Sequence, residues 1–117
     1  MSDIDKIFST LSKVRFSLND EKRLQTEMKG VLVSLFGDRV IPEKHFDSKN
    51  IIDFFISGIG IEVKIKGRKK NIYKQCVRYC GFDELKSLIL VTGLAIGFPE
   101  TINNKDCYVL KLASAWL

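Results

Sequence analysis

The chain has 117 residues, of which 45% are hydrophobic and 28% are charged, and its formal net charge is +5. These values predict one soluble globular domain, residues 1–117, with a single modest core. The first twenty residues lack the apolar core of a signal peptide, and the longest uncharged run, residues 87–99, is too short and glycine-rich to span a bilayer. We therefore expect no membrane partner.

Two helices are predicted before the first strand. The first is capped by Ser2 or Asp3, and its apolar face comprises Ile4, Ile7, Phe8, Leu11 and Val14. The second is capped by Ser17 and runs to about Phe36, where Gly37 ends it. Its apolar stripe comprises Leu24, Met28, Val31, Leu32 and Leu35.

Glu27 lies beside that stripe, one turn before Val31. It either points from the helix toward the sheet or remains a boundary residue near Lys22 and Arg23. Helical spacing alone favours the boundary position. Glu21, at the start of the helix, is better placed to complement the helix dipole.

The stretch from Ile51 to Lys66 predicts a β-hairpin at the centre of the domain. Its strands are Ile51–Ile56 and Ile61–Lys66, and the four residues between them include two glycines, which permit a tight reversal. A short strand at about residues 39–46 precedes the hairpin, and Pro42 assigns that strand to a sheet edge or a bulge.

Asp53 is the one charged residue in the first strand of the hairpin, and a buried carboxylate needs a partner or a cation. If the loop has two or four residues, Ile56 lies opposite Ile61 and Asp53 opposite Lys64, with Glu62 diagonal on the same face. Carboxylates on backbones about 7 Å apart can then share one hard cation. A loop of odd length puts Asp53 on the other face. A plain salt bridge between Asp53 and Lys64 is the alternative to a metal site.

A third helix is predicted at residues 68–80, ended by Gly81, with Gln75 and Tyr79 on one of its faces. The excess positive charge lies in and before this helix, because no acid occurs from Val63 to Phe82. The basic residues there are Lys64, Lys66, Arg68, Lys69, Lys70, Lys74 and Arg78. They predict either a surface that binds a polyanion or an ordinary solvated helix face.

The remaining elements are shorter. Leu88–Thr92 is predicted as a buried strand, residues 93–99 as a loop and residues 103–106 as a turn. A last strand is predicted at Cys107–Leu112, and the apolar residues 113–117 as one helical turn.

The chain contains three cysteines, an odd number that does not fit a secreted disulfide framework, so we expect a cytoplasmic protein. Cys76, Cys80 and Cys107 lack a fourth ligand for zinc or an iron–sulfur cluster. We interpret them as small buried hydrophobic residues.

A family resemblance emerges from the order helix, strand, strand, strand, helix, strand over residues 20–92. With Asp53 in the middle strand, Glu62-Val63-Lys64 in the next and Gln75-Cys76-Val77-Arg78-Tyr79 on the following helix, the chain resembles the P-D-(D/E)-x-K nuclease superfamily. The Gln-x-x-x-Tyr element is similar to that of lambda-exonuclease and RecB-type members. One departure is Ile52, which stands where the superfamily pattern has proline.

The resemblance implies an α/β fold with a restriction-endonuclease-like αβββαβ core at about residues 20–92. A central mixed sheet would be flanked by helices, with an extra N-terminal helix and C-terminal strand. It also implies a Mg²⁺- or Mn²⁺-dependent deoxyribonuclease that selects DNA by structure or ends. A non-catalytic module that keeps this fold to bind DNA or a protein partner is the alternative.

The resemblance also assigns roles to individual residues. Asp53, Glu62 and the Val63 carbonyl would bind the cation, and Lys64 would orient a water molecule and offset transition-state charge. Three further residues are implied in catalysis: Glu27 as the helix acid that helps hold the metal or its water, and Gln75 and Tyr79, which would position Lys64 and the phosphate. The DNA backbone would be held by Lys66, Arg68, Lys69, Lys70, Lys74 and Arg78. A homodimer formed through the apolar tail, residues 110–117, is compatible with either function.

Overall fold

The computed structural model describes residues 2–112, in which α-helices pack on both faces of one six-stranded mixed sheet. The helices are α1 (Asp3–Leu11), α2 (Glu21–Phe36) and α3 (Lys69–Tyr79), and a 3-10 turn, Gly37–Arg39, follows α2. The strands are β1 (Val40–His45), β2 (Ile51–Ile56), β3 (Ile59–Lys64), β4 (Ser87–Thr92), β5 (Thr101–Ile102) and β6 (Lys105–Lys111).

The strand order in the sheet is β1-β2-β3-β4-β6-β5. β1, β2 and β3 form an antiparallel meander, β3 and β4 are parallel, as are β4 and β6, and β5 pairs antiparallel with β6. Parallel neighbours require a crossover, which α3 supplies between β3 and β4. The predicted α/β class and central mixed sheet are confirmed, and Pro42 lies in an edge strand as expected. The two-residue strand β5 was not predicted.

The start and the buried stripe of α2 differ from the prediction. Asp20 caps the helix, because its carboxylate accepts hydrogen bonds from the first-turn amides, so the cap predicted at Ser17 is wrong. Leu35 is 36% exposed, whereas Phe36 is buried. The buried residues of α2 recur every fourth position, at Leu24, Met28, Leu32 and Phe36. The side of α2 that carries these four residues, rather than the predicted stripe that ends at Leu35, faces the sheet.

The sheet separates two clusters of buried side chains. On one face, α1 and α2 pack against residues of β3 and β4 that include Ile61, Val63 and Val91. On the other face, α3 packs against a cluster that includes Leu88 and Leu90. Neighbouring β3 residues therefore point to opposite layers, and Glu62 lies between two residues of the α1–α2 layer, so its side chain points toward α3.

The hairpin turn is shorter than predicted. Ser57 and Gly58 alone form it, with φ of 47° and 87°, and β3 begins at Ile59 and ends at Lys64. Ile56 therefore pairs with Ile59, not with Ile61. The loop length is still even, but the alternation of β2 is interrupted at Asp53, because its neighbours Ile52 and Phe54 belong to the clusters on opposite faces of the sheet. Extending the register by one pair puts Asp53 next to Glu62 rather than opposite Lys64.

Gly60, predicted as a loop residue, lies inside β3 and provides a test of the packing. A Cβ at Gly60 would lie 2.5 Å from Leu85 Cδ1 and 2.6 Å from Ile52 Cδ1, both buried side chains. We expect Gly60→Ala to lower the free energy of unfolding by about 1–3 kcal/mol through overpacking. Urea denaturation measures the change.

Gly30, in the middle of α2, is the matched control because a Cβ there would meet no atom within 4 Å. Gly30→Ala is expected to raise the free energy of unfolding by about 0.5–1 kcal/mol, since alanine is the better helix former. Equal stability of Gly60→Ala and the wild type would contradict the packing described above.

The predicted apolar turn at residues 113–117 lies outside the described residues. None of the helices within residues 2–112 has the length and apolar character needed to cross a bilayer.

Candidate functional site

The candidate site lies where β2 separates from β3. β2 remains paired with β1 as far as Ile51, whereas its ladder with β3 stops at the pair Phe54 and Ile61. Asp53 is the first β2 residue beyond that pair. Its Oδ2 atom accepts a hydrogen bond from the Val63 amide of β3 at 2.8 Å. The Asp53 carboxylate therefore fills the fork between the two strands.

Gln25 of α2 reaches the same carboxylate from the other layer. Its Nε2 donates to Asp53 Oδ1 at 3.3 Å. Gln25 is not predicted from the sequence, in which Glu27 is the candidate on this helix. Both residues flank the stripe formed by Leu24 and Met28, but on opposite sides, and helical spacing does not tell which side faces β2. The Oε1 atom of Glu27 is buried and has no hydrogen-bond partner within residues 2–112, and a metal-binding role for Glu27 stays a prediction.

Glu62 is the most deeply buried acid of the site, with 2% of its surface exposed. Its Oε1 atom accepts from the Asp53 backbone amide at 3.4 Å, and its Oε2 atom lies 3.6 Å from Lys64 Nζ. Lys64 is partly exposed, with 27% of its side chain accessible. The structure thus brings Asp53, Glu62 and Lys64 together, with the Glu62 carboxyl group within ion-pair distance of the Lys64 amine.

Gln75 and Tyr79 connect α3 to this site through hydrogen bonds. Gln75 Nε2 donates to the Tyr79 hydroxyl at 2.7 Å, and that hydroxyl donates to the Ile51 carbonyl at 2.7 Å. Tyr79 Oη also lies 3.4 Å from Glu62 Oε2. The predicted pair is therefore present on one helix face. Its described contacts are to Glu62 and to the start of β2, rather than to Lys64.

Burial controls the protonation of the two carboxylates. Loss of hydration, followed by repulsion from Asp53, raises the pKa of Glu62 to about 8. Burial also raises the pKa of Asp53, against the opposing effects of the Val63 amide and the Lys64 charge. At neutral pH the pair therefore retains a proton when no cation is bound. Burial raises the pKa of Tyr79 as well, so its hydroxyl stays neutral.

The donor set available to a metal is small. No cluster of three or more His, Cys, Asp or Glu side chains suited to a metal occurs in the part of the chain that the structure describes. What the fork offers is two carboxylates, Asp53 and Glu62, with the backbone of Val63 beside them. Oxygen donors of this kind suit a hard cation such as Mg²⁺ or Mn²⁺, which keeps several water ligands.

A cleft of about 600 Å³ gives access to Asp53 from the α2 side. It lies between the N-terminal half of α2 and the strands β1 and β2, and Gln25 and Asp53 contribute to its lining. Three basic side chains also line it: Lys22, Arg23 and Lys29. These three are not predicted from the sequence as ligands for DNA, because acids balance the basic residues in that half of the chain.

The six residues predicted to hold DNA are all exposed, and they lie in α3 or in the segment that leads into it: Lys66, Arg68, Lys69, Lys70, Lys74 and Arg78. Arg78 Nε donates to Asn50 Oδ1 at 3.2 Å, near the start of β2. Within residues 2–112 none of the six forms an ion pair with an acid. Their charge is therefore available to a ligand.

The cysteines lie in the α3 layer of the core. Cys76, Cys80 and Cys107 are free and buried, as the sequence analysis expected. Burial raises the pKa of Cys76 and of Cys80 to about 12, so these thiols are protonated at neutral pH.

Comparison of the chain with protein-family models, curated proteins and solved structures finds no match.

Proposed function

We propose that this protein is a metal-dependent deoxyribonuclease with a restriction-endonuclease-like core. The observation that carries the proposal is the fork between β2 and β3, where the side chains of Asp53, Glu62 and Lys64 come close together. The element order supports it, since α2, β1, β2, β3, α3 and β4 follow one another as the αβββαβ core requires.

A divalent cation fits the charge of the fork. Burial disfavours the charged forms of Asp53 and Glu62, so the pair retains a proton at neutral pH. A divalent cation that displaces this proton would balance the two negative charges. Asp53, Glu62 and the Val63 carbonyl are the groups that would hold Mg²⁺ or Mn²⁺. A cation held there would supply Lewis-acid chemistry, polarising the phosphodiester and lowering the pKa of a bound water.

The surrounding side chains have distinct tasks in this proposal. Lys64, 3.6 Å from Glu62, orients the attacking water and offsets the negative charge that develops on the phosphate. Gln75 and Tyr79 fix Glu62 and the start of β2 through their hydrogen bonds. Gln25 fixes the Asp53 carboxylate from the α2 side.

The charge of α3 favours DNA as the substrate. Its N-cap, Arg68, makes no side-chain capping bond, and its first turn contains Lys69 and Lys70 but no acid. Cations at this end oppose the helix dipole and cost stability, so their placement is better explained by phosphate groups outside the protein. Contacts to phosphates carry no sequence information, so we infer that DNA is selected by structure or by ends.

A second candidate is a non-catalytic DNA-binding or partner-binding module. The observation in its favour is that Glu62 is only 2% exposed and that its oxygens already contact Lys64 and Tyr79. This module would bind DNA in a salt-dependent manner and would not cleave it. The cytoplasm stays the expected compartment and a homodimer through residues 110–117 stays a prediction, because most of that tail lies outside the described residues.

The direct test is a cleavage panel of single-stranded, blunt duplex, nicked and four-way DNA. With Mg²⁺ or Mn²⁺ we expect cleavage of at least one substrate, and with EDTA none. Gel analysis over a range of protein concentrations measures it. If all four substrates bind with a salt-dependent affinity and remain intact with either metal, the second candidate is correct and the nuclease proposal is wrong.

A further inference from the structure

Tyr73 is the one exposed aromatic residue in the part of the chain that the structure describes. It is 43% exposed, whereas the phenylalanines and the other two tyrosines are buried or half-buried. Part of this aromatic side chain is therefore accessible to a ligand.

The surroundings of Tyr73 combine a fixed ring with positive charge. The Phe98 ring meets it edge-to-face, with centroids 6.2 Å apart and an interplanar angle of 72°. Phe98 is itself partly buried against the α3 layer of the core. On α3, Lys69 and Lys70 precede Tyr73 by four and three residues, so they lie on the same side of the helix. Lys74 follows directly.

The distance to the fork suits a substrate strand that reaches both places. Tyr73 precedes Tyr79, which contacts Glu62, by six residues. At a rise of 1.5 Å per residue, the two tyrosines are about 9 Å apart along the axis of α3. Along the helix axis, Tyr73 and its neighbouring lysines therefore lie within two turns of the residue that contacts Glu62.

We propose that Tyr73 is a base-stacking platform that selects substrates with unpaired nucleotides beside the cleavage site. Phosphates contact Lys69, Lys70 and Lys74 whatever the sequence, and an unstacked base lies on the free face of the Tyr73 ring. A base inside a duplex is stacked on its neighbours and is not available to the ring. The substrate class is thus single-stranded DNA, or a duplex with a single-stranded end or flap. This inference rests on the proposed function, but its test needs no catalysis.

The test compares two probes of equal length and charge, measured by fluorescence anisotropy in EDTA. One is an oligothymidylate, and the other is the same sugar-phosphate chain with tetrahydrofuran in place of every base. Tyr73→Ala is expected to weaken binding of the oligothymidylate by at least about fivefold and to leave binding of the abasic chain unchanged. Tyr73→Trp is expected to restore the oligothymidylate affinity.

Two control variants separate stacking from other effects. Val33 on α2 has nearly the same exposure, 44%, and Val33→Ala is expected to change neither affinity. Lys70→Gln removes a charge and is expected to weaken both probes equally, with a smaller dependence on salt. Thermal melts confirm that each variant is folded.

The outcomes distinguish the two proposals. If Tyr73→Ala weakens both probes equally, or neither, the stacking platform is wrong, whether or not the protein cleaves DNA. If Tyr73→Ala acts on the oligothymidylate alone while no DNA is cleaved with Mg²⁺ or Mn²⁺, stacking is correct and the nuclease proposal fails.

Discussion

Asp53→Asn is expected to lower metal-dependent DNA cleavage by at least about a hundredfold, the scale seen when one electrostatic group is removed from a catalytic site. Asparagine keeps an oxygen that can accept from the Val63 amide, so the fork retains its hydrogen bond. What is lost is the negative charge that holds the cation. Initial rates on the best substrate of the panel, at saturating Mn²⁺, measure the effect.

Two further variants make this result specific. Lys64→Met should cause a loss of similar size, because it removes the positive charge beside the reacting phosphate. Asp83→Asn, an exposed acid in the loop after α3, is the matched control and should cleave like the wild type. Wild-type rates for Asp53→Asn and Lys64→Met would overturn the catalytic assignment, since both variants alter the centre of the proposed site.

The free energy of unfolding of the metal-free protein is expected to fall as pH rises, and Glu62→Gln is expected to reduce this fall. The pKa of Glu62 is raised from its usual 4.5 to about 8, so between these values the folded chain holds a proton that the unfolded chain has released. The Glu62 contribution is therefore fully present below about pH 4.5 and is lost as pH rises to about 8. The slope reaches at most about 1.4 kcal/mol per pH unit.

Urea unfolding in EDTA at pH 5.5 and pH 8 measures this effect. The free energy of unfolding should fall between the two pH values for the wild type, and fall less for Glu62→Gln. Mn²⁺ should then stabilise the wild type at pH 8 by binding the folded state, and should not stabilise the variant. The same pH dependence in both proteins would show that Glu62 is ionised in the fold without a cation.

Parity predicts only part of the arrangement, because Glu62 and Lys64 share a face in any strand. The place of the Asp53 side chain could not be predicted in this way, since the ladder between β2 and β3 ends before Asp53 and its carboxylate bonds to the Val63 amide and to Gln25 of α2. The exact register could not be predicted, because Gly58 and Gly60 are equally good turn residues in sequence. The packing of Gly60 against Ile52 and Leu85 places it in the strand, and that contact joins residues far apart in the chain.

Local signals failed where two residues offered the same chemistry. Ser17 and Asp20 are both good N-caps, and the one directly before the helix forms the cap. Gln25 and Glu27 flank the same apolar stripe on opposite sides, and the way α2 packs on the sheet brings Gln25 to Asp53. That packing is a tertiary property. The strand β5 has only two residues, too few for an alternating pattern to reveal it.

The hydrogen bond from Val63 to Asp53 has a consequence for the stiffness of the sheet. Between neighbouring strands an amide ordinarily meets a carbonyl, whose acceptor strength is fixed, but the Val63 amide meets a carboxylate. A charged acceptor binds an amide more strongly than a neutral one. The strength of the contact between β2 and β3 at the fork therefore depends on whether Asp53 is ionised. A proton or cation bound to Asp53 thus also changes how firmly β2 is held to β3.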